Sequence, residues 1–158
     1  MILDQPDLIS AIAVTPAGTQ CLRPLTDAGL TLWSSGDQAA SRAGVQTDAG
    51  ALRDHLTTLW PTQRGFVFCL ATGAVVRLIA PLLQNKAIDP AIVVVDEAGQ
   101  TVISLCGGHQ GGADDLARWV AAQLQAQVIL SGSSNTQAYP AVDTLGQPFG
   151  WQKGEGNW

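Results

Sequence analysis

Two pairs of glycines bracket a histidine in Ser104-Leu-Cys-Gly-Gly-His-Gln-Gly-Gly-Ala-Asp114, immediately before an amphipathic pattern. Backbone without Cβ can approach a ligand closely, and a helix start offers N–H donors that lack intrahelical partners. An imidazole titrates near neutral pH, so His109 is a candidate general acid or base. Ser104 and the amides of Gly107, Gly108, Gly111 and Gly112 are candidate substrate contacts around it. The plainer reading is that His109 caps or packs a tight turn, while Asp114 complements a helix dipole. A second segment, Ala71-Thr-Gly-Ala-Val-Val-Arg77, follows an apolar run. In open α/β sheets ligands gather at the carboxyl ends of strands, where helix amino-termini favour anions. Thr72 and Gly73 would open such a helix, with Thr72 placed to cap it, and Arg77 would add a guanidinium suited to carboxylates. Equally, Gly73 only permits a tight turn and Arg77 pairs with Asp89 or Asp96.

Two further carboxylates complete the candidate set. Asp96 ends the apolar run Ile92–Val95, a position that serves a ligand or a hairpin turn, and Asp89-Pro90 is a turn initiator. Asp143, in Tyr139-Pro-Ala-Val-Asp143, lies beside the glycine turn or caps the next one. The reading that unites these segments brings their turns to a single rim of a sheet.

The elements that must position these residues follow from hydrophobic period and turn chemistry. Leu8–Val14 is a buried strand ending at the turn Thr15-Pro-Ala-Gly18, Leu22 to Ala28 a weak helix, and Leu30–Trp33 a second strand. Residues 34–48 are polar, with two glycines, and read as a surface loop. Leu52, Leu56 and Leu59 recur at helical spacing before Pro61. Gly65–Leu70 is a strong strand, residues 74–80 a helix, and Pro81 starts a second short helical piece. Glu97-Ala-Gly-Gln100 joins residues 92–96 to 101–105 as a hairpin. Leu116, Val120 and Leu124 mark a helix over 112–126, and Val128–Leu130 supplies one more strand. Strands alternating with helices predict an α/β fold: a three-layer open sheet, mostly parallel with one antiparallel hairpin, flavodoxin- or Rossmann-like. Residues 1–145 form that domain. Residues 146–158, rich in glycine and tryptophan, read as a tail or linker to downstream domains.

Composition narrows the function classes. Eight scattered lysines and arginines against thirteen acids leave a net charge of −5 and no basic stripe, so nucleic acid is not an expected partner. No apolar run approaches the roughly 18–20 residues that cross a bilayer, and the first residues are unlike a secretory signal. The expected location is the cytoplasm, without membrane contact. Three cysteines without paired spacing and two histidines supply no zinc pattern, so no protein-bound metal is expected. Neither GxGxxG nor GxxxxGK[ST] occurs, which weakens a nucleotide-binding, flavodoxin-like module. Ser131, Ser133 and Ser134 lack a GxSxG elbow.

Four blocks in order over residues 66–143 resemble the cobalt-precorrin-5A hydrolase (CbiG) family. Phe66-Val-Phe-Cys-Leu-Ala-Thr-Gly-Ala-Val-Val-Arg-Leu-Ile-Ala-Pro-Leu-Leu83 is similar to its strand followed by ATGxxVRxxAPxL. Lys86 with Asp89–Asp96 resembles K-x-x-DPAVVVVDE, Ile103–Ala117 resembles ISLLSGHxGGANxLA, and Pro140–Asp143 resembles the segment closing that domain. Cys106 and Gly107 replace the usual Leu/Ser-type residues, and Asp114 stands where Asn is common. The tail Phe149–Trp158 resembles cyanobacterial versions joined to a precorrin-3B methyltransferase. The resemblance implies opening of the δ-lactone of a cobalt-containing tetrapyrrole with release of acetaldehyde, the metal belonging to the substrate and no cofactor being required. It further implies His109 as acid or base, with Arg77 and the glycine amides holding carboxylates or an oxyanion, and Asp96 and Asp143 orienting His109 or a water. The alternative is a tetrapyrrole-binding or scaffolding domain, with the chemistry housed in downstream domains of the same polypeptide.

Overall fold

The computed structural model describes residues 2–35, 45–48 and 50–132, with the backbone alone at 35, 47–48 and 109–110. Asp143 and the tail lie outside these residues. Seven strands form one sheet in the order β3-β2-β1-β4-β5-β6-β7. They are β1 (Ile9–Ala13), β2 (Thr31–Ser35), β3 (Val45–Asp48), β4 (Gly65–Cys69), β5 (Ala91–Val95), β6 (Thr101–Cys106) and β7 (Gln127–Ile129). The first five run parallel in the doubly wound order, β6 is antiparallel to β5, and β7 is parallel to β6. The expected α/β class with one antiparallel hairpin is therefore observed.

Helices cover both faces because the central strands are apolar on both. Ile9, Ala11, Ala13, Val67, Val93 and Val95 pack toward α1 (Pro16–Leu22), α2 (Pro24–Asp27) and α6 (Ala113–Leu124). Ile12, Phe66, Phe68, Ile92 and Val94 pack on the other face beneath α3 (Leu52–Leu59) and α4 (Thr72–Ile79). Val75 and Ile79, one turn apart, are the fully buried side chains of α4. Pro81 has no N–H to continue the helix, and a turn over residues 80–82 follows rather than the second short helix expected.

Three other expectations are corrected. Pro16 opens α1 under Thr15, whose hydroxyl accepts from Gly18 N at 3.0 Å, where a turn was read. This is the cap-plus-proline pattern of a helix start. The polar stretch 34–48 contributes β3 and the end of β2. β3 is an edge strand with Val45 half-buried and Gln46 exposed, so it needs little apolar sequence. Finally, Ala71 rather than Thr72 is the N-cap of α4, and no side chain caps it.

Candidate active site

The carboxyl ends of β1, β2, β4 and β5 share one edge of the sheet, termed the upper rim. Strand order reverses between β1 and β4, and a crevice outside such a point is where open α/β sheets bind ligands. A cleft of about 550 Å³ opens there, lined by Thr15, Cys69, Thr72, Asp96, Glu97 and Ile103 among others. Thr72 and Gly73 are the first two residues of α4, so their amides belong to the turn that lacks intrahelical acceptors. Arg77 Nη1 donates to Gly73 O at 3.0 Å, which folds the exposed guanidinium back toward the helix start. The two anion-binding features of the sequence thus meet, and the pairing of Arg77 with Asp89 or Asp96 is not what holds it. Asp89 instead accepts from Gln84 N at 3.0 and 3.1 Å.

Asp96 has a structural task as well as its place on the cleft. Its carboxylate accepts from Gln100 N at 2.8 Å and from Thr101 N, closing the hairpin between β5 and β6. Glu97 accepts a short hydrogen bond from the Thr15 hydroxyl, tying the hairpin to the start of α1. Both carboxylates on the cleft are therefore already engaged by donors. Thr15, Cys69 and Glu97 were missed in the sequence. Only the Thr15-Pro16 helix start could have drawn attention to the first.

The glycine turn lies elsewhere. Because β6 runs antiparallel to β5, its carboxyl end returns to the amino end of β5, with Cys106 opposite Ile92. A Cβ on Gly107 would sit 3.2 Å from Ala91 Cα and 3.3 Å from Pro90 O. Gly107 has φ +79°, a left-handed conformation open to glycine. Gly112, at φ +81°, faces Ile2, whose side chain would be 3.1 Å from an added Cβ. Between them α5 (Gly108–Gly111) carries the backbone of His109, and Gly111 faces Asp89 O at 3.8 Å from its would-be Cβ. Beneath, Ser104 Oγ donates to Asp114 Oδ1 at 2.7 Å, and both side chains are buried. Asp114 therefore anchors the start of α6 to β6, beyond any effect on the helix dipole.

The candidate residues consequently fall into two groups. Thr72, Gly73, Arg77 and Asp96 gather at the upper rim, whereas Ser104, Gly107, Gly108, Gly111, Gly112 and the His109 backbone occupy the lower one. Five residue steps along β5 separate Ala91 from Asp96, roughly 16 Å of extended chain. A single rim uniting the turns is not what the backbone provides. Among the described residues no group of three His, Cys, Asp or Glu side chains could hold a metal ion, and no helix is long and apolar enough to cross a membrane.

Comparison with known proteins agrees with this fold. The family model described as cobalamin synthesis G N-terminal matches residues 54–135. A cobalt-precorrin-5A hydrolase from Priestia megaterium is 39% identical over 122 residues, covering 77% of this chain and 32% of the relative. One from Salmonella typhimurium is 35% identical over 141 residues, covering 89% and 40% respectively. The chain thus spans two-fifths or less of the length of these relatives. A crystal structure of a cobalamin biosynthesis protein G homolog from Sulfolobus solfataricus superposes with TM-score 0.63 at 24% identity, covering 83% of this chain and 39% of that one.

Proposed function

Because the chain belongs to the cobalamin synthesis G amino-terminal family, we propose that it is the substrate-holding domain of a cobalt-precorrin-5A hydrolase. The observation that carries this reading is the upper-rim cleft, lined by Ala71 and Thr72 at the start of α4, with the Arg77 guanidinium folded back onto Gly73 beside them. A tetrapyrrole intermediate bears several carboxylates. One of them would accept the Thr72 and Gly73 amides and pair with the guanidinium, whose fork suits a planar anion. The remaining apolar lining, including Leu70, Val94 and Ile103, would bear on the ring. Such local donors outweigh a net charge of −5, since a pocket's field is set by the groups that face it.

The reaction proposed for the whole enzyme is hydrolytic opening of the δ-lactone with loss of the two-carbon fragment as acetaldehyde. It needs an activated water and donors for the developing oxyanion. Cobalt enters with the substrate, and no cofactor is needed for hydrolysis. The remaining length of the longer relatives supplies the rest of the chemistry as further domains of one polypeptide.

A second reading keeps His109 as acid or base, with Ser104 and the amides of Gly107, Gly108, Gly111 and Gly112 as substrate contacts. It is favoured by the bare backbone of a turn with four glycines. On that reading the lactone lies at the lower rim, and Arg77 and Asp96 do not share its reacting atoms. Acetaldehyde release from cobalt-precorrin-5A, measured for this chain alone and joined to the remaining portion of a longer relative, tests the assignment. Release by the joined protein and binding without release by this chain are expected. Release by neither, with no binding, contradicts it.

A further inference from the structure

Two thiols lie back to back beneath the upper rim, between two cavities. Cys21, on α1, faces a cavity of about 490 Å³ formed with Gln20, Glu97, Gly99 and Gln125, while Cys69, the last residue of β4, faces the cleft. Their Sγ atoms lie 3.9 and 3.8 Å from the same acceptor, the carbonyl oxygen of Asp96, so a thiolate at Cys21 would have the Cys69 S–H beside it as a donor. A Cβ on Gly99 would stand 3.0 Å from Cys21 Sγ, so the hairpin turn closes over this pair. Both are free thiols. We propose that Cys21 and Cys69 are a redox dithiol that closes to a disulfide on meeting a low-molecular-weight disulfide, with Cys21 attacking and Cys69 resolving.

The division of roles follows from position and charge. Cys21 is half-buried at its cavity, whereas Cys69, although it borders the cleft, is almost wholly buried. The hydrogen bond from Cys69 lowers the Cys21 thiol below its ordinary range, against burial and the nearby charges of Asp96 and Glu97. That same bond, followed by burial, raises Cys69. In the first step Cys21 thiolate bonds to one sulfur of the small disulfide, whose S–S bond breaks and releases one thiolate. Cys21 can then no longer act as the anionic acceptor, which removes the largest cause holding the Cys69 proton. Cys69 thiolate attacks Cys21 Sγ and expels the second small thiolate. Two protein thiols are oxidised, one small disulfide is reduced to two thiols, and the two protons pass to the leaving thiolates. The new bond ties α1 to the end of β4 under the cleft, whatever the cleft binds.

Oxidised glutathione is the probe. After incubation, blocking of remaining thiols and digestion without reductant, we expect one cross-linked peptide pair containing Cys21 and Cys69, with Cys106 still blocked. Cys106, raised by burial and by the charge of Asp89, should react about tenfold more slowly. Cys69→Ser should accumulate a stable glutathione adduct at Cys21, and Cys21→Ser should form no adduct at position 69. A stable adduct on Cys21 in the unsubstituted chain, a cross-link involving Cys106, or no loss of thiols would each overturn the proposal.

Discussion

At the upper rim Ala71 hands the chain into α4 with no side-chain cap, and the space in front of the helix stays open as a cleft. At the lower rim Gly107 and Gly112 do the opposite, letting backbone press against Ala91, Pro90 and Ile2 with no room for a methyl group. Both segments look alike as sequence, a strand running into glycine and then a helix. In one the helix start borders a ligand-sized cleft through Ala71 and Thr72, and in the other the glycines permit close packing. Glycine next to a strand end is therefore no sign of a binding site until the direction of the strand is known.

Substitutions can break or sharpen this contrast. The largest effect expected is from Gly107→Val, which combines a left-handed φ with contact against backbone. Denaturant unfolding should show a loss of more than about 2 kcal/mol. Ser104→Ala removes a partner of the buried Asp114 carboxylate, and the same measurement should show a loss of about 1–3 kcal/mol. Thr72→Pro should cost less than either, leaving stability within about 0.5 kcal/mol of the unsubstituted chain, because proline is tolerated at the first helical position. That substitution nevertheless deletes one amide of the anion site, and titration with a carboxylate-bearing cobalt tetrapyrrole should show weakened binding. Stability effects as large at Thr72 as at Gly107 would erase the distinction between the rims. The smallest effect concerns the thiols. Thiols react as thiolates, so alkylation speeds up as pH rises and levels off above each pKa. Cys21, lowered by its bond from Cys69, should level off at lower pH than Cys106, which burial raises.

Much of this arrangement was legible beforehand. The apolar runs at 9–13, 65–69 and 91–95 are buried on both faces and read as strands because nothing polar interrupts them. The hairpin at Glu97–Gln100 was legible from its turn residues, and it already implied that the chain after β6 emerges at the opposite edge from Asp96. The expectation of a single rim overlooked that consequence. What could not be read was Val45–Asp48, an edge strand paired on one side and only partly covered, whose four residues carry one large apolar side chain. Nor do the sequence positions of Cys21, Cys69 and Glu97 show that a hairpin folds them together. That contact depends on a separation of up to 76 residues closing at one turn.

The most direct measurement compares Arg77→Ala with His109→Ala in the affinity of this chain for a carboxylate-bearing cobalt tetrapyrrole, followed by calorimetry. Loss of a charge-assisted pair is worth about 1.5–3 kcal/mol, so Arg77→Ala should weaken binding by roughly 10- to 100-fold. His109→Ala should leave it within about twofold, since its backbone lies on the far rim. A large loss at His109 with none at Arg77 would place the macrocycle on the glycine turn and contradict the account.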